Sequence, residues 1–248
     1  MSRILALIVL LAIFILGAIG VSSYFIKQEE TITSIKKEIK ELKKEIVKAK
    51  QEKTKVSLKK QNFLDTIVPI TQAVYKELYS GYINTKHLLE QNRTNPYIES
   101  LKIFYRSKSN KDLLASLKPH PISIALAQCA MESAWLTSRF SKDANNIFGV
   151  WSFNKNEPRI AASGLRGDKV IYLKKYPNYY ESIKDYYKTI GKSWAFKEFR
   201  EKRLITDDPF KLLPYLHKYS EQKDEYPKTL KRVIEKNKFT QYDIREEK

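Results

Sequence analysis

One carboxylate, Glu132, follows an apolar stretch that has the composition of a buried helix. The stretch begins at Pro121 and runs through isoleucine, leucine and alanine to Ala130, and a segment that apolar is typical of a helix buried on most faces. Apolar surroundings help a carboxyl group keep its proton, so Glu132, beside Met131 and Trp135, has the environment of a general acid. A salt-bridged or partly exposed Glu near a helix end is the structural alternative.

The residues after this helix contain a polar turn, an aromatic residue, a glycine and a strand-like step, at positions 145–151. Taken together, ALAQCAMESAWLTSRFSKDANNIFGVW resembles the signature of the Bax-type glucosaminidases of glycoside hydrolase family seventy-three. Further matches are Tyr176-Pro177 with Glu181-Ser182, and Tyr219-Ser220-Glu221 with Tyr226. The likeness extends over about residues 63–239 and does not cover the N-terminal region.

This resemblance implies a lysozyme-like fold and an endo-β-N-acetylglucosaminidase that cleaves β-1,4 bonds after N-acetylglucosamine in peptidoglycan glycan strands. In the family the Glu of the ES pair is the general acid, and that residue corresponds to Glu132. The late Tyr motif implies that Tyr219 orients the sugar or its N-acetyl group, although a packing role at a helix junction is the alternative. The expected substrate-binding residues are Trp135, Asn146, Phe148 and Trp151. For Trp135, a place in the core is an equally open interpretation.

Glycoside hydrolysis usually needs a second group on the other side of the sugar. Between Gly149 and Val170 the acidic residues are Glu157 and Asp168. The wider family often carries a Glu on this hairpin, but Lys169 stands about where it is expected. Glu157 is therefore the candidate second catalytic carboxylate, with a surface turn as its alternative role. The substrate's own N-acetyl group could also take this part, and the sequence leaves the choice open.

The chain of 248 residues has a formal charge of +18, from 46 Lys and Arg against 28 Asp and Glu. Such an excess favours anionic partners in general, including nucleic acid, phospholipid and anionic wall polymers. Because the lysines are dispersed and no basic-aromatic recognition motif is present, nucleic acid is not an expected partner. The single cysteine, Cys129, excludes an intramolecular disulfide, and three scattered histidines form no metal-ligand pattern. No cofactor is expected.

Residues 4–26 contain no charged side chain and as a helix would span roughly 35 Å, enough to cross a membrane. A cleaved signal peptide is the alternative, but the apolar run continues beyond the small residues at 18–20 and favours an uncleaved anchor. The lysines after the span would, by the positive-inside rule, keep the large domain in the cytoplasm. We nevertheless expect a single-pass protein of the cytoplasmic membrane with its catalytic domain in the periplasm or otherwise outside, because the implied substrate is the wall.

Residues 27–60 are predicted to form a helical stalk. Apolar residues recur there three and four positions apart, in the a/d pattern of a coiled coil. They are Ile32, Ile35, Ile39, Leu42, Ile46 and Ala49. The pattern lasts about two to three heptads. It is compatible with a homodimer and equally with a stiff spacer between membrane and domain.

The fold class predicted for residues 61–248 is α+β and mainly α, a lysozyme-like helical domain with a small β-hairpin lobe. Residues 163–168 have the composition of a turn and 170–173 that of a strand. Asn178 and Glu181 predict a capping box at the start of a helix, and Pro69 predicts a kink or an element boundary. The alternative function is a catalytically weak or inactive wall-binding or scaffolding protein with a lysozyme-like cleft.

Overall fold

The structure, a computed structural model, describes residues 2–91, 95–166, 169–221 and 223–244. Within them it is mainly helical, with a single two-stranded sheet. The α-helices are α1 (Ser2–Glu90), α2 (Pro96–Tyr105), α3 (Asn110–Leu117), α4 (Ile122–Glu132), α5 (Arg139–Ala144), α6 (Tyr179–Lys192), α7 (Lys197–Arg203), α8 (Pro209–Leu212) and α9 (Glu225–Asn237). Short 3-10 helices are found at Trp194–Phe196, Leu213–Leu216 and Phe239–Tyr242.

The chain divides into two compact units, Met1–Leu58 and Lys59–Lys248. In the first unit every side chain that the structure describes is exposed. Its helix is long and apolar enough near the N-terminus to cross a membrane, by length and composition, and a signal sequence would meet the same test. The predicted coiled-coil residues Ile35 and Ile46 are 49% and 54% exposed. The side chain of Ile32 lies outside the described residues.

The second unit begins within α1. Apolar residues of this segment are buried at helical spacing, among them Phe63, Ile67 and Val74. The helix is continuous through Pro69. The prediction of an element boundary at Pro69 is therefore wrong.

Helix α4 lies at the centre of the second unit's core. Every residue from Ile122 to Ala130 is buried, because, apart from Gln128, this segment carries apolar or small side chains around its whole circumference. Asp243, near the C-terminus, caps its first turn: the backbone N–H and the hydroxyl of Ser123 donate to the Asp243 carboxylate at 2.7 and 2.8 Å. A carboxylate at a helix N-terminus satisfies unpaired N–H groups and complements the helix dipole.

The predicted hairpin is present as strands β1 (Arg159–Arg166) and β2 (Lys169–Lys174), which pair antiparallel. The register shifts between Ala161 and Leu165, so residues 163–166 lie in the strand. The predicted turn therefore begins too early in the sequence, because a β-bulge absorbs the small residues that indicated it. Asp168 and the side chain of Lys169 lie outside the described residues.

Helix α6 begins as predicted. The Asn178 side chain accepts a hydrogen bond from the Glu181 backbone N–H at 3.0 Å, which satisfies one of the helix's free N–H groups. The same helix supplies the buried residues Ile183, Tyr186 and Tyr187 to the core. It packs against α2 and α3.

Candidate active site

Glu132 is the last residue of α4. The helix before it is buried, whereas the Glu132 side chain is exposed to solvent. No Lys or Arg among the described residues forms an ion pair with it. Glu132 therefore lies at a helix end, as the structural alternative supposes, but without the salt bridge that would explain its presence there.

Protein atoms around the Glu132 carboxyl raise its pKa above the ordinary value, because burial disfavours the charged form. The negative end of the α4 dipole acts in the same direction, since the carboxyl group follows the helix's last carbonyl groups. A hydrogen bond from Tyr226 opposes the shift by stabilising the ionised form. The result is an accessible carboxyl group that holds its proton more tightly than a free Glu.

The backbone directly after Glu132 is unusual. Ala134, Trp135 and Leu136 all have positive φ, at 51°, 62° and 63°, in a region that costs roughly 1–2 kcal/mol per non-glycine residue. Ser133 holds this turn, because its hydroxyl donates to the Cys129 carbonyl at 2.6 Å and accepts from the Leu136 N–H at 2.9 Å. The strained turn ends α4 sharply and leaves Glu132 at the exposed end of a buried helix.

Two tyrosines from distant parts of the sequence lie beside Glu132. The Tyr226 hydroxyl, on α9, donates to Glu132 Oε1 at 3.3 Å. Its ring stacks on that of Tyr219, with centroids 5.3 Å apart and planes inclined by 11°. The pKa of Tyr219 lies well above its ordinary value, first through burial and then through the charge of Glu132. Burial also raises the pKa of Tyr226, so both hydroxyl groups are neutral, and that of Tyr226 donates to Glu132.

Asn146 does not lie on the surface. It is 1% exposed, and its amide nitrogen donates to the carbonyl groups of Val150 and Lys174, both at 2.9 Å. Its oxygen accepts from the Val150 N–H at 2.9 Å. The predicted substrate-binding role is not accessible to this side chain, because its hydrogen bonds hold the turn and attach it to strand β2.

Two of the predicted sugar-contacting aromatic residues pack inside the domain. Phe148 is 5% exposed and stacks on Tyr186, with centroids 3.9 Å apart. Trp135 is half-buried, and its ring contacts those of Phe63 and Phe239 at 5.1 and 6.2 Å. Trp135 thus takes the core position that the sequence left open.

Trp151 is the predicted aromatic residue that the structure leaves accessible, at 40% exposure. Phe153 lies next to it, with centroids 6.1 Å apart, and is 85% exposed. Trp151 also forms an isolated bridge with Leu173 of β2. The two rings therefore form an exposed aromatic pair at the base of the hairpin.

Glu157 lies just before β1 and is half-buried. It accepts a hydrogen bond from the Ser152 hydroxyl at 2.7 Å. Its charge contributes to raising the pKa of Tyr176, after burial and the stronger effect of Asp185, whose carboxylate accepts from the Tyr176 hydroxyl at 2.6 Å. Tyr219 contributes in the same direction. Glu157 is thus associated with Ser152 and Tyr176, and among the described residues its carboxylate forms no hydrogen bond with Glu132.

The structure therefore brings together Glu132 and Tyr219, adds Tyr226 to them, and leaves Trp151 accessible. No group of three or more His, Cys, Asp or Glu residues in the described part of the chain could hold a metal ion. Sequence reasoning assigned no role to Tyr226, Gln128 or Phe153. The signals were present: Tyr226 in the late motif, a lone amide within an apolar helix, and an aromatic residue two positions after Trp151.

The family profile described as glucosaminidase, mannosyl-glycoprotein endo-beta-N-acetylglucosaminidase, matches residues 108–239, more than half of the chain. The chain belongs to this family. Its glucosaminidase domain is thus a glycoside hydrolase domain, and the match includes Glu132, both tyrosines and the hairpin. The resemblance predicted from the sequence is confirmed.

Among curated proteins, the glucosaminidase domain is similar to exo-glucosaminidase LytG of Bacillus subtilis, at 28% identity over 120 residues. That alignment covers 45% of this chain and 43% of the relative, so the chain spans less than half of the relative's length. Among solved structures it is similar to the catalytic domain of the autolysin Auto from Listeria monocytogenes, at 23% identity and a TM-score of 0.42, covering 64% of this chain and 96% of that one. A peptidoglycan hydrolase from Sphingomonas sp. A1 matches at 21% identity and a TM-score of 0.41, covering 57% and 92%.

Proposed function

We propose that this protein is an endo-β-N-acetylglucosaminidase that cleaves β-1,4 bonds after N-acetylglucosamine in peptidoglycan glycan strands, with Glu132 as general acid. The observation that carries the proposal is the environment of Glu132. It is accessible to a substrate, has no cation partner among the described residues, and has a pKa raised by the protein atoms that partly desolvate its carboxyl group. A raised pKa favours the protonated form that a general acid needs, which a solvated Glu holds less well.

In the proposed reaction, Glu132 gives its proton to the glycosidic oxygen as the bond from that oxygen to the sugar C1 breaks. The electron pair of the bond stays with the leaving sugar, and positive charge develops at C1. The N-acetyl oxygen of the same sugar can share that charge, and water then adds to C1 and returns a proton to Glu132. Each turnover consumes one water and regenerates the acid.

Tyr219 is the second residue that we place in the reaction. Its ring lies on that of Tyr226, whose hydroxyl contacts Glu132, and its high pKa keeps it a donor. A neutral hydroxyl on a ring that stacks beside the acid's hydrogen-bond partner can orient the N-acetyl group for attack at C1. Glu157 fits this role less well, because its carboxylate already accepts from Ser152. We propose the exposed pair Trp151 and Phe153 as the platform on which a sugar ring stacks.

We further propose that residues 4–26 anchor the protein in the cytoplasmic membrane and that the glucosaminidase domain lies outside. The length and composition of the first helix support this, as does a net charge suited to an anionic wall. The exposed stripe formed by Ile35, Ile39, Leu42 and Ile46 supports pairing with a second copy of the stalk. A reporter fused after Lys248 tests the placement: alkaline phosphatase should be active and a cytoplasm-dependent reporter silent.

Digestion of purified peptidoglycan by the full chain in detergent tests the activity. New reducing ends should be N-acetylglucosamine, and their release from the interior of long strands distinguishes an endo-acting enzyme from an exo-acting one. Reducing-end N-acetylmuramic acid would make the protein a muramidase. Binding to peptidoglycan without any new reducing ends would support the scaffolding alternative and refute the proposal.

A further inference from the structure

A row of buried polar side chains leads from Glu132 through the core to α7. Gln128, one turn before Glu132, donates from Nε2 to the Tyr226 hydroxyl at 3.0 Å. Its Oε1 accepts from the Tyr186 hydroxyl. The Tyr186 oxygen lies 2.8 Å from His120 Nε2, and His120 Nδ1 lies 3.5 Å from the guanidinium of Arg203. Gln128, His120, Tyr186 and Arg203 are all at least 98% buried.

The hydrogen bonds of this row all run in the same donor-to-acceptor direction. An arginine can only donate, so His120 Nδ1 accepts and His120 Nε2 must carry the hydrogen that goes to Tyr186. Tyr186 then donates to Gln128, and Gln128 to Tyr226. The opposite orientation of the Gln128 amide would direct an N–H at the Tyr186 oxygen and would remove the oxygen that accepts the Tyr186 hydroxyl hydrogen in the described part of the chain. The donors therefore all point from Arg203 towards Glu132.

Arg203 gives the row a fixed positive end. It is 1% exposed, and no carboxylate among the described residues pairs with it. One nitrogen donates to the Ala115 carbonyl at 2.7 Å, and Nε has no partner. A buried cation without a counter-ion is costly, and its field polarises the groups around it. His120 stays neutral beside it, because burial, and then the charge of Arg203, hold its pKa well below the ordinary value.

We propose that Arg203, His120, Tyr186 and Gln128 are positioning residues of the active site: they act in series to fix the Tyr226 hydroxyl as a donor to Glu132. This rests on the proposed role of Glu132 as general acid. Hydrogen bonds in a chain with one direction strengthen each other, and the last bond holds one carboxylate oxygen while leaving the other to meet the substrate. The titratable groups that face this carboxyl are Tyr226 from α9, Tyr219 from the segment before it, and the thiol of Cys129 on α4.

The test measures the titration of the Glu132 carboxyl by carbon-13 NMR of the full chain in detergent, with the signal assigned from its loss in Glu132→Gln. Tyr226→Phe removes a donor to the ionised form and should move the midpoint upward by about one pH unit. Tyr186→Phe removes the bond that lies two links before Glu132 and should move the midpoint in the same direction by about 0.1–0.3 unit. The alkaline limb of the pH–rate profile should move with each midpoint.

Tyr187→Phe is the matched control. Tyr187 is the adjacent buried tyrosine of α6, its ring also contacts His120, and its hydroxyl donates to the His120 backbone carbonyl at 3.3 Å, outside the row. This variant should leave the midpoint unchanged. An equal shift in Tyr186→Phe and Tyr187→Phe would overturn the proposal, because any buried hydroxyl would then suffice.

The double variant of Tyr186 and Tyr226 gives the sharpest outcome. If Tyr186 acts only through Tyr226, then Tyr186→Phe should shift nothing further once Tyr226 is Phe. Additive shifts would show that Tyr186 acts by another route and would refute the series. If Tyr186→Phe does not fold, Gln128→Met breaks the row at its next link. The double-mutant cycle is then measured with Gln128→Met and Tyr226→Phe. The titration needs no turnover, so failure of the series and failure of the enzymatic proposal are separate results.

Discussion

Replacing Asn146 by Ala should destabilise the protein and leave substrate affinity largely unchanged. The substitution removes three hydrogen bonds of 2.9 Å from a side chain that is 1% exposed. The Val150 carbonyl keeps its bond from the Lys174 N–H at 3.0 Å. The largest loss is therefore at the Val150 N–H, in a half-buried residue, which loses its acceptor. Removing a partner from a buried polar group costs about 1–3 kcal/mol. With the smaller losses at the two carbonyl groups, we expect about 2–4 kcal/mol in total.

The assay is thermal unfolding of the full chain together with steady-state kinetics on purified glycan strands. For a domain of this size, about 1 kcal/mol corresponds to a change of about 2–4 °C in Tm, so Asn146→Ala should lower Tm by about 4–16 °C. Asn154→Ala is the control, since Asn154 is exposed and its side chain accepts a single hydrogen bond, from the Asn156 N–H. An unchanged Tm with a strongly raised KM would refute this reasoning and restore Asn146 to the substrate-binding surface.

Three further predictions concern the reaction, pH and the stalk. Tyr219→Phe should lower kcat about tenfold, which corresponds to one hydrogen bond in the transition state. Glu157→Gln should lower kcat less than about threefold. If reducing-end assays show the opposite order, Glu157 is the second catalytic group. The free energy of unfolding of Glu132→Gln, relative to wild type, should increase as pH rises. A carboxyl group whose pKa is raised in the folded state stabilises the wild type less as pH rises through that pKa. Denaturant titrations in which this difference is smaller at neutral than at acid pH would contradict the prediction. Leu42→Asn should weaken self-association in chemical cross-linking, whereas Val47→Asn, equally exposed but off the stripe, should not; equal cross-linking of both variants leaves α1 a spacer.

The sequence predicted those parts of the site that depend on local pattern. The apolar run before Glu132 predicts a buried helix because periodicity records burial directly, and α4 has that form. Asn178 predicts the start of α6 because an N-cap uses a hydrogen bond between residues three apart in the chain. The family motifs also identified Tyr219, which the structure brings near Glu132.

What the sequence could not show is which side of a turn faces the interior. Asn146, Ile147 and Phe148 lie in a short irregular segment. Neither helical nor strand periodicity there predicts which side chains face the interior. The row from Gln128 to Arg203 depends on contacts between residues 58 to 83 positions apart, which only tertiary packing creates. The left-handed turn at residues 134–136 likewise has no glycine to announce it.

The most direct test of the central claim is the turnover of Glu132→Gln on purified glycan strands. The amide is nearly isosteric with the carboxyl group and accepts a hydrogen bond from Tyr226 as the carboxylate does, but it cannot give a proton to the glycosidic oxygen. General acid catalysis contributes about 10²–10⁴ in rate, so kcat should fall at least about a hundredfold while the protein stays folded and still binds the strands. Turnover near that of the wild type in a folded Glu132→Gln protein would contradict the assignment of Glu132 as the acid.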